Sequence, residues 1–409
     1  MKKLFFFFNY RYLPILTIYF GLIFVFGANE LVSDRLRYWL FSENLLNGFY
    51  FDPKNTLWNG PGYPIYIALL RSLGIGWEII VYTNAVLLYL SVLFFEKIIS
   101  KFIEKPIYIT YLFAFWEPVL LYQYLPHLMT EVFVIFLISI LVWVHLSEIK
   151  HKKIILGFIL SLIILTKVIF FYVVASLIFL SLVLKIFRKK RYYLPLVLSI
   201  VFCAPYLFYT YNLTNKIFYF SDAGGSSLYW MSQPNPFFKG DWNGGYGYSQ
   251  NNLNIATKTY NEFLKQYSWP IDKELQKLNW IEKDEALKKL AIKNILENKV
   301  KFIKNWINNL GRLFFGYPFT FHTPNWQHIL VTFKQSFHIV GLFIVYLITI
   351  MRFRNINVDY LFLLAFFSIY IFGVSLVSSY PRFLFITNII TWVYASYIYK
   401  NFMKISLIK

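Results

Sequence analysis

Residues 14–38 read Pro-Ile-Leu-Thr-Ile-Tyr-Phe-Gly-Leu-Ile-Phe-Val-Phe-Gly-Ala-Asn-Glu-Leu-Val-Ser-Asp-Arg-Leu-Arg-Tyr. An uncharged apolar run, Pro14 to Gly27, gives way to Ser33-Asp34-Arg35-Leu36-Arg37-Tyr38. The run suits hydrocarbon and the charged remainder suits its boundary. A carboxylate, Asp34, is therefore expected where a membrane helix has just left the bilayer. Arg37 stands three residues on and Tyr38 four, so on a helix both share Asp34's face. Met1-Lys2-Lys3 and Arg11 precede the run as in a signal peptide, but Phe26 and Ala28 do not make a small-x-small cleavage site. A retained first helix with its amino end in the cytoplasm is expected.

The whole chain follows that stretch in character. Its 409 residues are 58% hydrophobic, 22% aromatic and 15% charged, against about 25% charged in soluble domains. The formal charge of +20 sits mostly in short clusters between apolar runs. That placement points to lipid phosphates rather than nucleic acid as the anionic partner. Cys203 is the single cysteine, so an intramolecular disulfide is excluded. The six histidines are scattered; His322 and His328 alone do not make a metal site, and neither metal nor cofactor is expected.

Further apolar runs lie near 76–96, 107–124, 128–147, 154–187, 193–211, 335–351, 359–378 and 382–399. The 154–187 run is too long for one crossing of about 20 residues, and Lys167 near its middle predicts two helices meeting at Thr166-Lys167. The expected fold is an all-α integral-membrane bundle of about ten transmembrane helices. With the amino end inside, every inner connection is basic: Lys97, Lys101 and Lys105; Lys150, Lys152 and Lys153; Lys185 and Arg188 to Arg191; Arg352 and Arg354; Lys400, Lys404 and Lys409. This obeys the positive-inside rule and puts Asp34, Lys167, Arg382 and the 212–330 segment on the outer face.

The expected organisation is a transmembrane module (1–211) containing a first outer loop (29–61), an outer segment (212–330) and C-terminal membrane helices (331–409). The outer segment opens with turn-rich aromatic sequence, Ala223-Gly224-Gly225 to residues 244–247, and has no phosphate-loop Gly-Lys-Ser/Thr. Asn279 and Glu282 have capping-box spacing. Leu287, Leu290, Ile295, Ile303, Trp306 and Leu310 then recur at roughly helical spacing among lysines, which predicts a helix lying on the membrane surface.

The candidate site residues are the ionisable groups at or inside spans, which by default mark function in a membrane. Glu117 and Glu131 lie within runs; His127 stands four before Glu131, on one face of a continuous helix. Each also has an ordinary explanation: Asp34 as a helix cap, Glu117 and Glu131 as interhelical hydrogen bonds, Lys167 and Arg382 as cations snorkelling at helix ends.

Ser33 to Tyr66, with Asp34, Arg37, Gly48 and Pro61-Gly62-Tyr63-Pro64, resembles the first outer loop of membrane-embedded glycosyltransferases that use polyprenyl-phosphate sugars (the protein O-mannosyltransferase and aminoarabinose transferase superfamily, GT-C fold). Pro126-His127-Leu128-Met129-Thr130-Glu131 is similar to that superfamily's acidic position at the start of the fourth span. Leu165-Thr166-Lys167 resembles its Leu-Thr-Arg/Lys corner, and Ser379-Tyr380-Pro381-Arg382-Phe383 its arginine before the last span. The run from Gly225 through Tyr229-Trp230 and Pro234 to Gly240 resembles its post-seventh-span loop. The resemblance implies outer-face juxtamembrane helices and inverting transfer of a sugar from a polyprenyl-phosphate donor to a glycan, lipid or protein acceptor. It makes Asp34 the catalytic base and assigns the donor phosphate to Arg37, Lys167 and Arg382. Tyr38, His127, Glu131 and Glu117 take supporting roles. The expected location is the bacterial inner (plasma) membrane, with the active site on its extracytoplasmic side. Those relatives carry a Lys before the returning Pro pair, where this chain has Trp58-Asn59-Gly60. Two other classes fit a basic polytopic chain: a lipid or saccharide transporter or flippase, and a surface-polysaccharide polymerase or ligase. The first predicts repeat symmetry and paired broken helices, neither evident in the sequence; the second does not need Asp34.

Overall fold

The computed structural model describes residues 10–51, 57–234, 239–241, 274–275, 277–316, 318–319, 326–377 and 379–403. Pro236, residues 244–247 and His322 lie outside them, as do residues 52–56 of the first outer loop. Every regular element among the described residues is helical.

In chain order these are α1 (Leu13–Phe26), α2 (Asp34–Leu46), α3 (Gly62–Arg71), α4 (Trp77–Ile99), α5 (Pro106–Phe115), α6 (Pro118–Gln123), α7 (Thr130–His145), α8 (Lys152–Thr166), α9 (Ile169–Val183) and α10 (Lys185–Lys190). There follow α11 (Tyr193–Phe202), α12 (Ala204–Thr214), α13 (Ala223–Met231), α14 (Trp280–Glu297), α15 (Lys299–Phe315), α16 (Trp326–Arg352), α17 (Val358–Ser375), α18 (Pro381–Phe385) and α19 (Asn388–Ile398).

Among the described residues, three helices are long and apolar enough to cross a membrane: α4, the 329–355 stretch that takes in most of α16, and α17; α11 with α12 makes a fourth if the pair is one span. The long run 154–187 does divide at Thr166-Lys167, into α8 and α9. Several other runs are interrupted where the sequence reading expected continuous helices. The 107–124 run breaks at Trp116-Glu117, because Pro118 lacks an amide donor and forces Glu117 out of helical geometry (φ −114°, ψ 76°). The 193–211 run bends by 50° at Cys203, just before Pro205. The last run divides between α18 and α19 at Ile386-Thr387.

The bundle is centred on α7, which is buried on nearly all sides, as an all-round apolar helix must be. It packs against α4, α8, α18 and α19. Its sixteen residues span about 24 Å and connect two unlike ends. At one end His145 Nε2 lies 3.0 Å from the Asp359 carbonyl, and Lys400 Nζ donates to the Lys101 carbonyl, so the basic connections cluster there. At the other, Glu131 meets Lys167.

Two close approaches lock that second end. The chain returning at Gly60-Pro61-Gly62 runs against the α8 corner: a Cβ on Gly60 would stand 2.1 Å from the Leu165 carbonyl oxygen, and one on Gly62 2.4 Å from Thr166 Oγ1. Gly225 of α13 lies equally close to Asp284 of α14, whose Oδ1 accepts its amide at 2.6 Å. The capping box forms as expected: Asn279 Oδ1 accepts from Ile281 N and Glu282 N, and Glu282 returns the bond to the Asn279 amide. The single expected surface helix is two, α14 and α15, parted at Asn298.

Candidate functional site

The site begins with a backbone constraint. Ser33 holds φ 55°, ψ −128°, a region that a residue with a Cβ rarely occupies. The turn delivers Asp34 as the first residue of α2 rather than as its cap, and no side-chain cap bond forms. The capping role open to Asp34 in the sequence is therefore not the one observed. Its carboxylate instead meets Arg37 Nη1 at 3.2 Å, one turn along the helix. Both side chains are about a third exposed, and such pairs contribute only ~1 kcal/mol or less. An arriving anion therefore recruits Arg37 at small cost.

Asp34 and Arg37 line a cavity of about 700 Å³ together with Arg382, Tyr124, Trp58 and Trp230. Arg37 lies 5.8 Å from the Trp58 ring, and Trp58 is 6.2 Å from Trp230. Arg382 lies 5.1 Å from the Phe383 ring. Its Nε makes no hydrogen bond among the described residues. Two guanidiniums, that of Arg37 already paired with Asp34, thus line one cavity.

Behind this wall, Lys167 Nζ lies 3.2 Å from Glu131 Oε1 and 5.2 Å from the Phe383 ring. Neither Lys167 nor Glu131 lines the cavity, but both interact electrostatically with Arg382. Three cations (Arg37, Lys167, Arg382) thus face two carboxylates (Asp34, Glu131), leaving one positive charge in surplus. Tyr38 packs edge-on against Tyr63 at 5.2 Å, and burial pushes its phenol above the ordinary value.

A second cavity, about 450 Å³, also borders Asp34 and is lined by Arg35, Gln123 and His127 as well. Arg35 Nη1 lies 3.3 Å from His127 Nδ1. Burial, then Arg35, lowers the His127 pKa, so the ring is neutral with Nδ1 as acceptor. His127 and Glu131 do not share a helical face as expected, because α7 starts only at Thr130, after an extended Met129. His127 stands in the preceding turn, its carbonyl held by Asn84 Nδ2 at 2.8 Å.

Glu117 belongs to neither cavity. At the α5–α6 break its carboxylate binds Lys334 of α16 and accepts from Asn388 of α19. Sequence reasoning also missed a buried clasp. Arg312 pairs with Asp241 at 3.4 Å and donates to the carbonyls of Ser379, Gly240 and Phe319. Tyr380 donates to the same Asp241. The clasp fixes the strand of chain entering Arg382. Its signal was present as a polar stripe, Asn305, Asn309 and Arg312, at helical spacing.

Compared with known proteins, the chain matches no family model, no curated protein and no solved structure.

Proposed function

We propose that the chain is a membrane glycosyltransferase of about ten spans, the interrupted pairs each counted once, using a polyprenyl-phosphate sugar. The observation that carries the reading is Asp34 lining two cavities, one of which is also lined by the guanidiniums of Arg37 and Arg382. The donor phosphate binds Arg37 and Arg382, with Lys167 reinforcing the positive potential from behind; Arg suits phosphate because its planar fork makes paired contacts. The acceptor enters through the second cavity. Asp34 takes the proton of its hydroxyl while that oxygen forms a bond to the sugar's anomeric carbon. The bond from that carbon to the phosphate oxygen breaks, and the lipid phosphate leaves with the electron pair. Attack from the face opposite the phosphate inverts the anomeric centre. The basic connections support an extracytoplasmic site.

One observation favours the transporter reading: three spans are interrupted, and Glu117–Lys334 is an ion pair inside the bundle, both features of transport proteins. Asp34→Asn separates the two. It keeps the shape and removes the base, so transfer of labelled sugar from polyprenyl phosphate to cell-envelope material should fall by roughly two to four orders of magnitude. Donor binding should persist in Asp34→Asn and weaken in Arg37→Ala and Arg382→Ala. Donor-dependent transfer by Asp34→Asn within a few-fold of wild type would overturn the assignment.

A further inference from the structure

Helix α15 is built inside out. Its buried side carries Asn305, Asn309 and Arg312, while Val300, Ile303 and Ile307 are 68%, 52% and 54% exposed. A helix packed on a protein facing water does the reverse. The inward polar groups are engaged: Asn305 donates to the carbonyls of Met231 and Gln233, and Asn309 to those of Ser375 and Val377. The exposed stripe crosses the break at Asn298 to Leu296 and Ile292 of α14, also exposed. Positions 292 and 296 on α14, and 300, 303 and 307 on α15, lie at helical spacing within their own helices, making an apolar ridge in two parts on either side of Asn298. Exposed Lys293, Lys299 and Lys304 border it.

The contacts of α15 also fix its depth. Trp306 Nε1 donates to Ser375 Oγ at 2.9 Å, and its ring lies 4.8 Å from Phe372. Ser375 is the last residue of α17, a helix long and apolar enough to cross a membrane. The ridge is therefore fastened across the end of that helix, where hydrocarbon gives way to headgroups and tryptophan is at home. The same end carries Tyr380 and the Asp34 cavity. We propose that the ridge is seated in the headgroup layer on the Asp34 side and that its lysines select lipids with anionic headgroups. Apolar burial with flanking cations is how surface helices bind such membranes.

The test uses the full chain in nanodiscs, with an environment-sensitive fluorophore on Ile303→Cys; the native Cys203 is buried. The probes are nitroxide-labelled phosphatidylglycerol, nitroxide-labelled phosphatidylcholine and aqueous iodide. Nitroxide lipids should quench strongly and iodide weakly. Phosphatidylglycerol should outcompete phosphatidylcholine, and each Lys→Gln change at 293, 299 or 304 should reduce that preference about fivefold. Two results would overturn the proposal: iodide quenching like that of a free label, or equal quenching by the two lipids. The experiment does not depend on glycosyl transfer, so that reading and this one fail separately.

Discussion

Glu131→Gln tests the charge arrangement behind the cavity. Glu131 is 1% exposed and Lys167 14% exposed, at 3.2 Å separation, and Arg382 also draws on the Glu131 charge. Neutralising Glu131 leaves two cations in a poorly solvated space with no carboxylate between them. Removing one partner of a buried pair costs about 3–5 kcal/mol, since the surviving charge loses its compensation without regaining water. The shared role with Arg382 puts the expected loss in the upper half of that range. Lys167→Met alone should cost less, because Glu131 keeps Arg382 as a partner. The double variant should be more stable than Glu131→Gln alone, because the charge most dependent on Glu131 has gone. Unfolding of the purified single and double variants, read as a double-mutant cycle, measures the coupling. A Glu131→Gln loss below about 1 kcal/mol, the value of an exposed pair, or a double variant no more stable than the single, would refute the reasoning.

Three further outcomes are expected. Ser33→Gly relieves a backbone strain of about 1–3 kcal/mol and should raise thermal stability while lowering transfer, as Asp34 loses its fixed approach; unchanged stability would show that the turn is unstrained. The His127 pKa is lowered on folding, so the unfolded chain binds more protons in that window. Stability should therefore fall as pH drops from about 6.5 toward the folded value, and melting temperatures against pH should lose this slope in His127→Gln. Asn279→Ala removes both acceptor contacts of the capping box and should cost ~1 kcal/mol, measured by chemical unfolding, with transfer activity preserved.

Much of the site was legible because its parts are local. Asp34 and Arg37 are one helical turn apart, and the Thr166-Lys167 break follows from a charge in an overlong apolar run. Asn279 and Glu282 carry their cap in their spacing. What escaped was whatever joins distant segments or depends on where a helix begins. A helix that begins at Thr130, rather than at or before His127, leaves His127 off the Glu131 face and beside the second cavity. Glu117 looked like a site residue because an ionisable group in a span is costly, yet the groups that stabilise it, Lys334 and Asn388, come from far along the chain. The interruptions at Pro118 and Pro205 were readable from proline chemistry, but hydropathy averaged over a window hides them. Arg312 was hidden because its helix turns its polar stripe inward, against the rule for soluble proteins.

The contacts of Gly60 and Gly62 bear on how this protein is free to vary. A methyl at 60 would meet a backbone carbonyl, which no substitution at 165 removes; a methyl at 62 would meet both the Thr166 hydroxyl and its amide nitrogen. The returning loop and the corner that carries Lys167 are therefore inherited as a single character, though far apart in the chain. Related lineages should keep glycine at both 60 and 62, because backbone atoms of 165 and 166 block a side chain at either position.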